Sequence, residues 1–365
     1  MGVRNMRVDM WGDSATNQPT YDCISLGEVM LRLDPGDSRI RTAREFKVWE
    51  GGGEYNVTRG LSKCFGWKTA VITSLVDNEV GHLIEELIMQ GGVDHRLIRW
   101  VKDDGLGRVS RNGLNFVERG FGIRSAKSVS DRGHTAASQM KPGDVDWDLV
   151  FGKIGARWFH VSGIFTSLSE GTAALVLEAV QTAKKYAVTV SYDVNYRPSL
   201  WRNIENKALF QTIQNEIAKN VDLLLGPGFE IIDDQLAYQS MGMADYQERI
   251  ERTVESFPNI QMIVATMRQV KNANRNDWSS IGWKDHQYVE SIRLQDLDIY
   301  DRVGGGDGFA SGLIYGLTTI GDLKTAMNYG IAHGALAMTT PGDNSMASLQ
   351  DVEAILQGNI RSISR

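Results

Sequence analysis

Cysteine is nearly absent. The 365 residues carry only Cys23 and Cys64, each inside an apolar segment, which points to a reduced, cytoplasmic interior. No uninterrupted apolar run approaches the roughly 18–20 residues that a membrane-spanning helix requires. Residues 1–20 lack an apolar stretch of signal-peptide length, so nothing marks export. A basic block is missing too: 39 Lys+Arg against 45 Asp+Glu give a formal net charge of −6, a poor balance for nucleic acid. The six His are scattered and no Cys-x-x-Cys exists, so no residues show metal-ligand spacing. Gly-x-x-x-x-Gly-Lys-Ser/Thr is absent, its nearest approach at Gly152-Lys153 being followed by Ile154. No Gly-x-Gly-x-x-Gly follows the first strand, which argues against a dinucleotide oxidoreductase.

The composition that remains is 42% hydrophobic and 23% charged, which suits a globular chain with a sizeable core and excludes collagen, coiled coil and wholesale disorder. Residues 1–20 read as a polar tail, expected to be disordered, and one ordered α/β domain is expected over 21–365. Tyr21 to Gly27 reads as a first strand, followed by a helix carrying Val57, Leu61 and Phe65. Strands are expected at 69–75, 158–161, 188–193, 221–225 and 262–266, and helices at 80–90, 171–186 and 208–219. That alternation implies a parallel sheet covered by helices on both faces. Two stretches, 28–49 and 107–130, hold short alternating runs with no helix between them. They are expected to form a small accessory sheet of antiparallel strands, placed as a lid. Residues 278–300 read as a meander, and two or three helices close the chain.

The most informative segment is Asp301-Arg302-Val303-Gly304-Gly305-Gly306-Asp307-Gly308-Phe309, followed at once by an apolar helical pattern. Three glycines before a helix allow a ligand to approach the backbone, and their N–H groups share one focus with the positive helix end. An acid at Asp307 opposes anion binding, so its place beside that focus suits a proton acceptor for an attacking hydroxyl. The competing reading makes the glycines a plain helix start and Asp307 its N-terminal cap. A second cluster, Gly51-Gly52-Gly53-Glu54-Tyr55-Asn56, opens a helix with an amide side chain, a combination suited to bonding several hydroxyls of a polyol.

Together with Gly27-Glu28-Val29-Met30-Leu31-Arg32-Leu33, Gly155 to Ile164, and Asp193-Val194-Asn195-Tyr196-Arg197, these clusters resemble the ribokinase/PfkB family of sugar kinases. The likeness runs from Tyr21 to the last helices and is strongest toward bacterial 2-keto-3-deoxygluconate kinases. It implies a Rossmann-like, ribokinase-like α/β domain, a β-sheet lid that often mediates dimerisation, and ATP with Mg²⁺. Asp307 then matches the family's catalytic base, and Gly304, Gly305 and Gly306 its anion hole, with Gly304 and Gly306 also at the nucleotide. Gly52, Asn56, Asn115, Arg132 and Arg197 match sugar-acid positions. Glu230 matches an organiser of Mg²⁺ acting through water, with no direct protein ligand to the metal expected. Three departures stand out: Gly305 replaces the family's Ala, Pro227 its Asn, and Asn115 and Ser130 two tyrosines.

The sequence therefore predicts a cytoplasmic, ATP-dependent carbohydrate kinase acting on a primary hydroxyl of a small keto sugar acid, with 2-keto-3-deoxygluconate first. It is expected as a homodimer through the lid, without nucleic-acid or membrane partners. The alternatives are a kinase for a fructose- or ribose-type sugar and a non-catalytic sugar-binding relative.

Overall fold

The computed structural model describes residues 19–201, 207–229 and 241–358, without the side chains of Pro198 and Trp201. Seven parallel strands form the heart of a ten-stranded sheet: β1 (Tyr21–Leu26), β4 (Thr69–Asp77), β5 (Ile98–Lys102), β8 (Ala156–Ser162), β9 (Thr189–Asp193), β10 (Leu223–Leu225) and β11 (Met262–Asn272). They run in the order β11-β10-β9-β8-β1-β4-β5. An antiparallel edge follows β11, made of β12 (Arg275–Lys284) flanked by β13 (Gln287–Glu290) and β14 (Leu294–Asp298). This edge is the expected meander. β11 runs beyond the predicted Thr266 to Asn272, because its outer half pairs with β12.

Strand alternation assigns two cores. Ile24, Phe159, Val190, Leu224 and Ile263 face α3 (Glu170–Lys185) and α4 (Lys207–Ala218). Cys23, Trp158, Leu223, Leu225, Met262 and Val264 face α1 (Gly53–Lys63), α6 (Gly305–Thr319) and α7 (Leu323–Ala337). Three further helices are α2 (Glu79–Gln90), α5 (Met243–Ser256) and α8 (Leu349–Leu356). Buried on both faces, the strands carry near-continuous apolar runs. Of the expected tail, Thr20 already joins the fold, donating its N–H to the Ile154 carbonyl at 3.1 Å. The rest, residues 1–18, lies outside the described residues.

The two irregular stretches meet in a four-stranded sheet ordered β3-β2-β6-β7, comprising β2 (Met30–Asp34), β3 (Lys47–Gly51), β6 (Leu114–Glu118) and β7 (Lys127–Asp131). The expectation of antiparallel strands throughout is corrected at its centre, where β2 and β6 pair in parallel. Each stretch forms its own hairpin, and the two hairpins join side by side. Arg32, Asn115 and Ser130 share one face of this sheet by register. Leu33, Val48, Phe116 and Val129 share the other.

Candidate active site

Parallel strands gather their carboxyl ends along one edge, and the loops leaving that edge build the cleft. The glycine loop closes it from one side. Gly304 is the N-cap of α6 with φ near 80°, and a Cβ there would stand 1.9 Å from the Asp343 carbonyl oxygen. Both constraints demand glycine. Gly305 backs onto Met338, whereas a Cβ on Gly306 would meet nothing within 4 Å. Asp307 lies inside the first helical turn, so it is not the cap; Gly304 holds that position.

The second glycine cluster arrives opposite. Gly52 precedes α1, and a Cβ there would stand 2.0 Å from the Glu28 carbonyl oxygen. One turn on, Asn56 accepts the Gly52 N–H through Oδ1 at 3.3 Å and donates from Nδ2 to Asp307 Oδ2 at 2.7 Å. The two contacts require opposite ends of the amide, which fixes its orientation. Two helix starts remote in sequence thus meet through one hydrogen bond. A Cβ built on Gly53 would lie 3.6 Å from Asp307 Oδ1 and 3.8 Å from Asn195 Nδ2, which places both side chains around the same small space.

The electrostatics of that space are unusual. Burial raises the Asp307 carboxyl to about 7 against the Asn56 hydrogen bond, and the charges of Asp193, Asp343 and Glu54 push the same way. Asp193, at the end of β9, is raised to about 7, again mainly by burial, although the Asn195 N–H donates to it at 3.0 Å and Arg197 lies near. Glu54, 1% exposed, is raised by burial while accepting from the Ser162 hydroxyl. Arginines answer these acids. Arg197 remains solvent-accessible within the cleft; desolvation there lowers its pKa, as do Arg268 and Arg132, while Asp307 and Asp193 oppose the shift. Arg302 is lowered by desolvation and by Arg197.

Asn115 and Arg132 lie on, and just after, the strands of the small sheet. Arg132 donates Nε and Nη2 to Glu28 Oε2 at 2.9 and 2.5 Å. Asn115 accepts from Ser128 and Ser130 at 2.9 and 3.1 Å on the small sheet. Glu230 lies outside the described residues, while Pro227 sits in the loop after β10.

No protein-family model matches the chain. It is similar to the 2-dehydro-3-deoxygalactonokinase of Haloferax volcanii, 26% identical over 351 residues that span 95% of this chain and 100% of the relative. It is also similar to the 5-dehydro-2-deoxygluconokinase of Bacillus licheniformis, 25% identical over 342 residues, or 92% and 96% of the two chains. Among solved structures, the 2-dehydro-3-deoxygluconokinase of Thermotoga maritima is 31% identical over 92% of this chain and 99% of that one, with a TM-score of 0.79. The chain belongs to the PfkB family of sugar kinases.

As a carbohydrate kinase it combines residues that were legible in its sequence with others that were not. Asp193, Glu54, Arg268 and Arg302 carry much of the cleft's charge, yet none was assigned a role from the sequence. A signal is present for three of them, since Asp193 ends a strand in the Asp193–Arg197 segment, Glu54 sits in the second glycine cluster and Arg302 adjoins the glycine loop. Arg268 gave none: it lies mid-strand in β11, over the Trp278 ring at 5.9 Å. No helix among the described residues is long and apolar enough to cross a membrane.

Proposed function

We propose that this kinase transfers the γ-phosphoryl group of ATP to a primary hydroxyl of a small keto sugar acid, with 2-keto-3-deoxygluconate first. The observation that carries the proposal is the Asn56–Asp307 hydrogen bond between two glycine-rich helix starts, beside Arg197. Asp307, held near neutrality by burial, accepts the hydroxyl proton through whichever oxygen Asn56 leaves free. The hydroxyl oxygen forms a bond to the γ-phosphorus as the bond to the β,γ-bridging oxygen breaks, and ADP leaves with that electron pair. The Gly304–Gly306 amides and the start of α6 stabilise the charge spread over the transferred oxygens. Gly52 and Asn56 hold sugar hydroxyls, and Arg197, assisted by Arg132 and Asn115, orients the acid end.

Among the described residues no group of three or more His, Cys, Asp or Glu side chains could hold a metal. Mg²⁺ brought by the nucleotide would need only one or two protein carboxylates. Asp193 is the carboxylate that would hold it, with Glu230 the expected organiser through water. Bound Mg²⁺ would neutralise phosphate charge.

The three relatives described above are named for keto-deoxy sugar acids, which supports an acid substrate. The Bacillus licheniformis name favours a second reading, a 5-keto-2-deoxy acid, in which the same arginines meet the same carboxylate. A cytoplasmic location is proposed with it, supported by the two free, buried cysteines. A coupled assay of ADP release across keto sugar acids, fructose and ribose tests the assignment. Turnover of a keto acid well above the neutral sugars is expected. Faster turnover of fructose or ribose would overturn the acid assignment, and no turnover of any sugar would favour the non-catalytic relative.

A further inference from the structure

Arg32 has no part in the chemistry above, yet it is 1% exposed and sits within β2 of the small sheet. Its guanidinium donates to three carboxylates. Nη1 reaches Asp343 Oδ1 at 2.6 Å, while Nη2 reaches Asp34 Oδ2 at 3.1 Å and Asp301 Oδ2. Two of these partners flank the glycine loop. Asp301 lies three residues before Gly304, and its Oδ1 accepts the Val303 N–H at 3.2 Å. Asp343 packs its carbonyl against Gly304, and its carboxylate lies 2.2 Å from where a Gly51 Cβ would stand. The next residue, Asn344, donates to the Glu50 carbonyl at 3.0 Å. One side chain therefore ties the root of the small sheet, the loop leading into Gly304 and the loop packed against Gly304.

We propose that Arg32 is a positioning residue for phosphoryl transfer, holding the Gly304–Gly306 amides in register with the small sheet so that sugar seat and anion site are set together. The inference rests on the kinase reading of the glycine loop. Charge supports it. One guanidinium donates to three buried carboxylates; without it Asp34 would keep Arg119 at 3.7 Å, but Asp301 and Asp343 would lose their direct ion-pair partner. Burial raises Asp343 to about 6 and raises Asp301 despite the contact with Arg32, so the cluster depends on that cation. The planar fork matters as well, because an ammonium is a point charge that cannot hold Asp301 and Asp343 in fixed relative directions.

The test is Arg32→Lys, assayed well below its melting temperature. We expect kcat to fall about tenfold or more, with KM for ATP within about threefold of the unaltered value. Amide hydrogen exchange in peptides covering 301–308 should quicken about tenfold, with β8 unchanged. A lower melting temperature with normal kcat and normal exchange at 301–308 would make Arg32 merely structural and overturn the proposal. If Arg32→Lys does not fold, Asp301→Asn replaces it, since it keeps an acceptor and relieves buried negative charge. Faster exchange at 301–308 with a several-fold lower kcat is expected; no change in either overturns the proposal. If the unaltered protein turns over no sugar, the kinase reading fails, while exchange at 301–308 still decides the Arg32 linkage.

Discussion

Asp307 is pulled in two directions. Burial, Asp193, Asp343 and Glu54 favour its neutral form, and the Asn56 amide favours its anion. A general base must be ionised to act, so kcat/KM is expected to rise with pH through about 7. Asp193→Asn removes a like charge and should move that limb to lower pH. Asn56→Leu removes a donor to the anion and should move it higher. Because Asp193 also titrates near 7, the limb of the unaltered protein belongs to the pair. A pH–rate profile on the three proteins checks this, and a limb that ignores both substitutions would show that Asp307 is not the titrating base. Arg197→Ala should raise KM for the sugar acid on the order of ten- to a hundredfold with a smaller effect on kcat, the loss of one charge-assisted contact. An unchanged KM would remove Arg197 from the carboxylate site.

Each glycine before α6 answers a different demand, which substitution can separate. Gly304 is fixed by positive φ and by the Asp343 carbonyl, so Gly304→Ala should lower the melting temperature and abolish turnover. Gly306 has open space where a Cβ would go and no positive φ, so the fold does not need glycine there. Gly306→Ala should therefore melt at or slightly above the parent temperature, yet raise KM for ATP about tenfold or more if that open space is the proposed phosphate site. Unaltered ATP kinetics would mean that the phosphates bind elsewhere. The sequence displayed the glycines and the acid but not this division of labour. Asp343, which constrains Gly304, comes from a turn with no motif, and only the fold brings it to a strand 311 residues away in sequence. The small sheet shows the same limit. Alternation revealed its strands in 28–49 and 107–130, whereas the parallel β2–β6 pairing depends on how two separate hairpins dock.

Over the whole molecule, the helix–strand rhythm was legible because buried parallel strands and amphipathic helices carry distinct periods. The cleft's charge was less so. A chain of net charge −6 collects Arg132, Arg197, Arg268 and Arg302 around its acids, and β11 supplies Arg268 from beyond the strand end expected at Thr266. On the small sheet, Val48 and Val129 are 40% and 55% exposed on the face they share with Leu33 and Phe116. Such a face suits a second copy of the chain, so light scattering at micromolar concentration should give particles of about twice the 40.6 kDa chain mass. Particles of single-chain mass would contradict the dimer. Stability bears on the same cleft. The Asp307 pKa is higher folded than unfolded, so its stabilising contribution is complete below about pH 4 and lost as pH rises through about 7. Asp307→Asn should then melt above the parent at about pH 8 and lose that advantage near pH 4. The most direct test is kcat for Asp307→Asn on the sugar acid that the unaltered protein turns over best. A fall of roughly 10²–10⁴-fold is predicted for removal of the general base; turnover within a few-fold of normal would contradict the mechanism.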